Sequence, residues 1–284
     1  MSFKNTIKRS VSCSGIGTHS GKPARLRIHP APVDFGIRFV REDIANVSVP
    51  AIWTQVTGTL MCTCISKDNV MIKTVEHLMA ALQSMGVDNA LIELDSEEVP
   101  IFDGSALKFT ELIKSAELSP QFNQREYIKV LDSITIQDNN RVVSISHSDK
   151  NMLSLEVELD LSKESLGNQS ISLDLSPDAF ISRIAPARTF GFLKDVKMLL
   201  DQGLIKGSSL ENAVVIDNGK IMNPNGLRFK DEMVRHKALD AIGDLSLAGK
   251  PIIGKFYGKN CSHTINQNLL KKLLSTPSAW QLCA

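Results

Sequence analysis

The chain has 284 residues, of which 43% are hydrophobic and 22% charged, and a formal net charge of +1 at pH 7. This is the balance of a globular protein with a core of normal size, long for one domain and comfortable for two. The near-zero charge excludes the basic footprint of a nucleic-acid binder or of a protein held electrostatically on an acidic membrane.

The first residues, Met1 to Gly15, are basic in places but carry no apolar core of a signal peptide, and no later run approaches the roughly 20 apolar residues that span a bilayer. A cytoplasmic protein is expected, acting as a monomer. Leu26–Ile28 and Gly36–Val40 read as strands joined by the Pro-rich turn His29-Pro30-Ala31-Pro32. The five cysteines, Cys13, Cys62, Cys64, Cys261 and Cys283, are odd in number and lack C-x-x-C pairs, which fits reduced thiols. Cys62 and Cys64 sit in a β-like apolar run. Val75, Leu78, Met79 and Leu82 recur at helical spacing, predicting a helix over about 74–85 with Thr74 as its N-cap and Gly86 as its stop. A strand at Ala90–Leu94, the turn Pro100 to Ser105 and a helix over about 106–116 follow.

Pro and polar residues cluster at Ser119–Gln124, which marks a boundary between units 1–120 and 121–284. Val130–Ile136, Arg141–Ser146 and Leu153–Leu159 alternate apolar and polar residues as strands do, and Lys163–Ser170 reads as a loop. A helix over about 231–248, a strand at Ile252–Tyr257, a polar turn and a helix over about 264–274 close the chain. Both halves thus share a helix, strand, turn, helix order, and the fold class is α+β with two similar units.

In the run from Met233 to Asp244, His236 and Asp240 lie four residues apart, so a helix stacks them on one face as half a metal site. Taken alone, this spacing is more often a solvated helix face. His77 holds the matching place in the first half; His19, in the run Gly15-Ile-Gly-Thr-His-Ser-Gly-Lys22, is the rival third ligand. That Gly-rich run is only a weak match to a phosphate loop, because it lacks the full spacing. Glu76 lies about 100° round the helix from His77, placed either as a general base beside a metal or simply as an acid favoured in the first helical turn. His263 and Asp244 form a candidate imidazole–carboxylate pair, the alternative being a helix-capping histidine. Ala187-Arg-Thr-Phe-Gly-Phe192 offers Thr189 as an oxyanion donor or, more plainly, a loop anchored by Phe190 and Phe192. Lys237 points away from the metal face, toward a phosphate or solvent. His29 and His147 read as structural.

Together, TVEHLMAAL, PIFDGSA, ARTFGF, GLRFKDEMVRHKALDAIGDL and SHTINQNLL are more specific than any one of these signals. In this order they resemble the UDP-3-O-acyl-N-acetylglucosamine deacetylases, zinc amidases that commit bacteria to lipid A synthesis. The resemblance covers the chain from Gly15 onward. It implies two β-sheet and two-helix units packed helices inward, a β-α-α-β sandwich with an insert in each unit. The second insert, which builds a passage for the acyl chain, corresponds here to about 162–175. The resemblance further implies zinc on His77, His236 and Asp240, a ligand set with which Fe2+ is also compatible. Glu76 is then the general base, His263 the general acid or electrostatic stabiliser oriented by Asp244, and Thr189 an oxyanion donor. Lys237, Phe190, Arg141 and Asp160 are the substrate contacts. Leu161, where some members carry an aromatic residue, and Asn260, where a lysine is expected, depart from the pattern. The two rival readings are the same amidase acting on an unacylated UDP-sugar and a catalytically dead nucleotide-sugar binder.

Overall fold

The computed structural model describes residues 2–44 and 47–284. Its helices are α1 (Glu76–Ser84), α2 (Leu107–Ala116), α3 (Pro177–Arg183), α4 (Val196–Asp201), α5 (Glu232–Ser246) and α6 (His263–Leu274). Two sheets carry the architecture. The first has five strands in the order Val11–Ile16, Pro23–Pro30, Ala90–Leu94, Ile37–Arg41, Ser48–Pro50. The second has seven strands around the hub Ile252–Lys259, which runs antiparallel to Arg141–Ser146 and parallel to both Leu153–Leu161 and Tyr127–Val130. Ile134–Asp138 extends one side, Gly167–Asp174 the other, and Trp280–Cys283 pairs with Tyr127–Val130.

α1, α2, α5 and α6 lie between the sheets, whereas α4 buries none of its residues. The sequence of α1, EHLMAALQS, consists almost wholly of strong helix formers and buries eight of its nine residues. α5 buries thirteen of fifteen, including Glu232, His236, Asp240 and Asp244. Leu78, Leu82, Leu239 and Ile242 each contribute about 1.5–3 kcal/mol by leaving water. α1 packs on α2 and, across the middle of the molecule, on α5, which packs in turn on α6. The expected α+β sandwich with helices inward is therefore the observed fold.

Four details differ from the sequence reading. Ser119–Gln124, read as a boundary, is itself strand: Leu118–Gln124 forms a ribbon with Phe3–Ile7, and Pro120 is tolerated because, among the described residues, its strand pairs on one side only. Thr74 does not cap α1. It adopts φ 59°, and its hydroxyl donates to the buried carboxylate of Glu98 at 2.9 Å, so Val75 becomes the cap residue. His29 and Pro30 continue their strand instead of turning.

The expected insert at 162–175 is a strand of the main sheet. Gly167–Asp174 pairs with Leu153–Leu161 over eight positions, burying Ile171 and Leu173 on its core face. The excursions lie elsewhere. One is the small sheet Val56–Gly58, Cys64–Lys67, Val70–Ile72; the other joins Phe190–Phe192, α4, Val214–Asp217 and Lys220–Ile221.

Candidate active site

The contact between α1 and α5 brings the two halves of the site together. At Gly243 a side chain is excluded, because a Cβ there would lie 2.1 Å from the carbonyl oxygen of Glu76. The first turn of α1 thus sits directly against the C-terminal part of α5. One ligand atom from each of His77, His236 and Asp240 falls within 4.8 Å of the others, and all three residues are buried. Asp240 Oδ1 is 3.3 Å from His236 Nε2 and 3.7 Å from His77 Nε2. Two atoms each bound about 2.0–2.1 Å from one tetrahedral ion stand about 3.4 Å apart, so the spacing suits a single cation. Asp240 Oδ1 is also buried with no hydrogen-bond partner, while Oδ2 accepts from Lys237 Nζ at 2.8 Å. A bare carboxylate oxygen facing two imidazole nitrogens is costly unless something cationic sits between them. Burial drives the His236 pKa down to about 4, keeping the ring neutral. Its Nδ1 lies 3.1 Å from the Ala187 carbonyl, which as partner to an Nδ1–H leaves Nε2 as a lone-pair donor toward the centre. His19 is not part of this cluster. It stands on the cavity wall, its Nδ1 accepting from the Ile205 N–H at 3.4 Å.

Two titratable groups flank the cluster. Glu76 is raised to about 7, chiefly by burial, with His263 pulling the other way. Burial works against charge on His263, but Asp244 and then Glu76 outweigh it and lift this ring to about 10. His263 Nδ1 is 3.0 Å from Asp244 Oδ2, and its Nε2 is 3.7 Å from Glu76 Oε1. The site therefore sets a carboxyl group raised by burial beside an imidazole held cationic by its carboxylate neighbours, a base and an acid in contact.

Thr189 is pinned through its backbone. Its N–H donates to the Gly104 carbonyl at 2.8 Å, and its carbonyl accepts from the Val214 N–H at 2.7 Å. Gly104, at φ +86°, lets both Asn212 and Thr189 come close, since a Cβ there would lie 2.0 Å from the Asn212 oxygen and 3.2 Å from Thr189 Cγ2. Next to Thr189, Arg188 forms a buried ion pair with Glu232 at 2.8 Å, and Glu232 also accepts the N–H groups of Arg188 and Arg228. Lys237 does not point away from the metal face. Its ammonium bonds Asp240 and lies 5.5 Å from the centre of the Phe190 ring.

A cavity of about 330 Å³ joins these groups. Glu76, His77, His236, Asp240 and His263 form its floor, with Thr189, Phe190, Lys237 and Arg141 on its sides. Phe192, Val196, Leu199 and Val215 from the second excursion add an apolar wall. Asp160 lies apart from this cavity. It lines a separate hollow with Lys259 and Gln169 and accepts from Ser162, while its N–H is held by the Asn260 side chain. In the Gly-rich run from Gly15 to Lys22 the N–H groups of His19 and Ser20 both donate to Glu98, so these two are not free to cradle a phosphate. His29 bonds Ser10 and Glu93, a structural role as expected. The sequence reading missed Thr63, Glu98 and the Arg188–Glu232 clamp. Each is a buried polar contact between segments distant in sequence, with no spacing signature.

Comparison with known proteins adds to this geometry. The family model described as UDP-3-O-acyl N-acetylglycosamine deacetylase matches residues 4–275. A protein of Shewanella woodyi named UDP-3-O-acyl-N-acetylglucosamine deacetylase is 41% identical over 284 residues, covering 99% of this chain and 93% of that protein. One of the same name from Myxococcus xanthus is 43% identical over 280 residues, covering 98% and 88%. A third, from Shewanella halifaxensis, is 40% identical over 284 residues, covering 99% and 93%. On this likeness across its whole length, the chain belongs to the UDP-3-O-acyl N-acetylglycosamine deacetylase family.

Proposed function

We propose that the chain hydrolyses the 2-acetamido group of a UDP-linked, 3-O-acylated N-acetylglucosamine and releases acetate, the committed step of lipid A synthesis, with zinc held by His77, His236 and Asp240. The observation that carries the reading is Asp240 Oδ1, buried and unpartnered between two imidazole nitrogens, with a base and an acid on either side. When bound, zinc supplies Lewis acidity, polarising the amide carbonyl and lowering the pKa of water. Glu76, as its carboxylate, takes the proton from the attacking water at Oε1, the oxygen that faces His263. Thr189 donates its hydroxyl to the developing oxyanion. His263, charged through its pairing with Asp244, gives its Nε2 proton to the departing amine. Lys237, Phe190 and Arg141 meet the sugar nucleotide, and Asp160 contributes from the neighbouring hollow. The wall of Phe192, Val196 and Leu199 carries the acyl chain, a task expected at 162–175 and here assigned to the 190–221 excursion. On this reading the chain divides into units 1–120 and 121–284, works in the cytoplasm and acts as a monomer.

Acetate release from acylated and unacylated UDP-N-acetylglucosamine, with and without a chelator, tests this function. Zinc-dependent release that requires the acyl chain is expected. Undiminished release by metal-free protein sinks the mechanism, and equal turnover of the unacylated sugar sinks the substrate.

A further inference from the structure

We infer that Thr63 is a positioning residue that couples the base to the acid across the two halves of the molecule, an inference that rests on the proposed deacetylase mechanism. Thr63 is fully buried, and all three of its polar groups are engaged. Its backbone N–H donates to Glu76 Oε2 at 3.0 Å. Its hydroxyl donates to Asp244 Oδ1 at 2.6 Å. Its carbonyl accepts the Val75 N–H at 3.3 Å, which ties it to the start of α1.

Each bond has a consequence for the chemistry. Holding Glu76 Oε2 fixes the carboxylate's rotation and turns Oε1 toward the cavity, 3.7 Å from His263 Nε2. Asp244 is held from three directions: Thr63 on Oδ1, Asn266 on Oδ2 at 2.9 Å, and His263 Nδ1 at 3.0–3.2 Å. With both oxygens occupied, the carboxylate cannot swing, so the imidazole keeps its Nε2 aimed at the cavity. Thr63 comes from the first excursion and Asp244 from α5, 181 positions later. One residue therefore touches both sides of the pair, its backbone N–H fixing the proton acceptor on α1 and its hydroxyl fixing the carboxylate that orients the proton donor on α6. The requirement for a hydroxyl is chemical, because Asp244 Oδ1 is buried and a hydrogen bond to a charged acceptor is among the stronger ones. Valine has the same shape without the donor.

The test uses the metal-loaded full chain. Thr63→Val, Thr63→Ser, Asp244→Asn and the Thr63→Val/Asp244→Asn pair are assayed for kcat and KM on the acylated UDP-sugar, alongside zinc content. Thr63→Val is expected to lower kcat about 10- to 100-fold, with KM and zinc content unchanged. Thr63→Ser is expected to restore kcat to within a few fold, and Thr63→Val to cost little more once Asp244→Asn is present. Full kcat in Thr63→Val overturns the inference, as does an undiminished effect of Thr63→Val on top of Asp244→Asn. If Thr63→Val does not fold, Thr63→Ser alone decides, since kcat lost in that folded, hydroxyl-bearing variant refutes a role resting on the hydroxyl. An unmutated chain that releases no acetate overturns the functional reading and the coupling with it. An active unmutated chain with an indifferent Thr63 overturns the coupling alone.

Discussion

Gly243→Ala tests whether the helix crossing builds the site. The added Cβ would lie 2.1 Å from the Glu76 carbonyl oxygen, 2.7 Å from its carbon and 2.9 Å from its Cα, all of them backbone atoms that cannot rotate aside. Carbon and oxygen in ordinary contact stand about 3.3–3.6 Å apart, so α1 and α5 must separate by more than about 1 Å. His77 moves with α1 while His236 and Asp240 stay with α5. Metal–ligand distances tolerate only about 0.2 Å. The shift is several times that tolerance, and a 1 Å misplacement costs about 100-fold in rate. Overpacking adds about 1–3 kcal/mol of destabilisation. We expect a folded variant with weakened zinc retention against a competing chelator and turnover reduced about 100-fold or more. Unchanged zinc affinity with turnover within a factor of two of the parent would refute the claim that this crossing sets the ligand geometry.

Three further outcomes follow from the same geometry. His77→Ala, His236→Ala and Asp240→Ala should each lose bound zinc and turnover together, read by elemental analysis and acetate release; a variant that loses metal but keeps its rate would contradict the assignment. The pH profile of kcat/KM should be bell-shaped. In the proposed mechanism Glu76 works as a carboxylate, so activity should fall as pH drops through its pKa, and His263 works protonated, so activity should fall as pH rises through its own. A cation on the three ligands lowers both pKa values, placing the limbs at or below about 7 and about 10. A basic limb that stays put in Asp244→Asn would remove His263 as its source. Glu232→Gln should destabilise the chain by about 3–5 kcal/mol in thermal or denaturant unfolding, because it leaves Arg188 buried and unpaired beside Thr189; a loss under 1 kcal/mol would show that the pair is not the clamp described.

The parts of the fold legible in the sequence were those with a period. The helical spacing of Val75, Leu78, Met79 and Leu82 marked α1, and the four-residue spacing of His236 and Asp240 pointed to a shared face on another helix. That His77 belonged with them came from the matched order of the halves, and the roles of the remaining site residues came from the family motifs. What escaped had weak patterning or depended on distant partners. Gly167–Asp174 has only Ile171 and Leu173 to show its inward face. Leu118–Gln124 is polar and holds a proline, and only its partner at Phe3–Ile7 makes it a strand. Thr74 has the chemistry of a cap, but Glu98, 24 residues on, claims its hydroxyl. Lys237 was placed by helical phase alone, whereas its flexible stem bends back to the charge on Asp240.

The division of the candidate ligands between α1 and α5 reaches beyond catalysis. A cation held by His77 on one side and His236 on the other fastens two segments about 160 positions apart, a clasp across the joint between the halves. Because those three atoms meet only in the native chain, bound metal stabilises the fold in proportion to the logarithm of its free concentration. Chelation should then lower the melting temperature and expose the seam between α1 and α5 to proteolysis before either sheet gives way. Metal supply would thereby govern how long the protein survives as well as how fast it works.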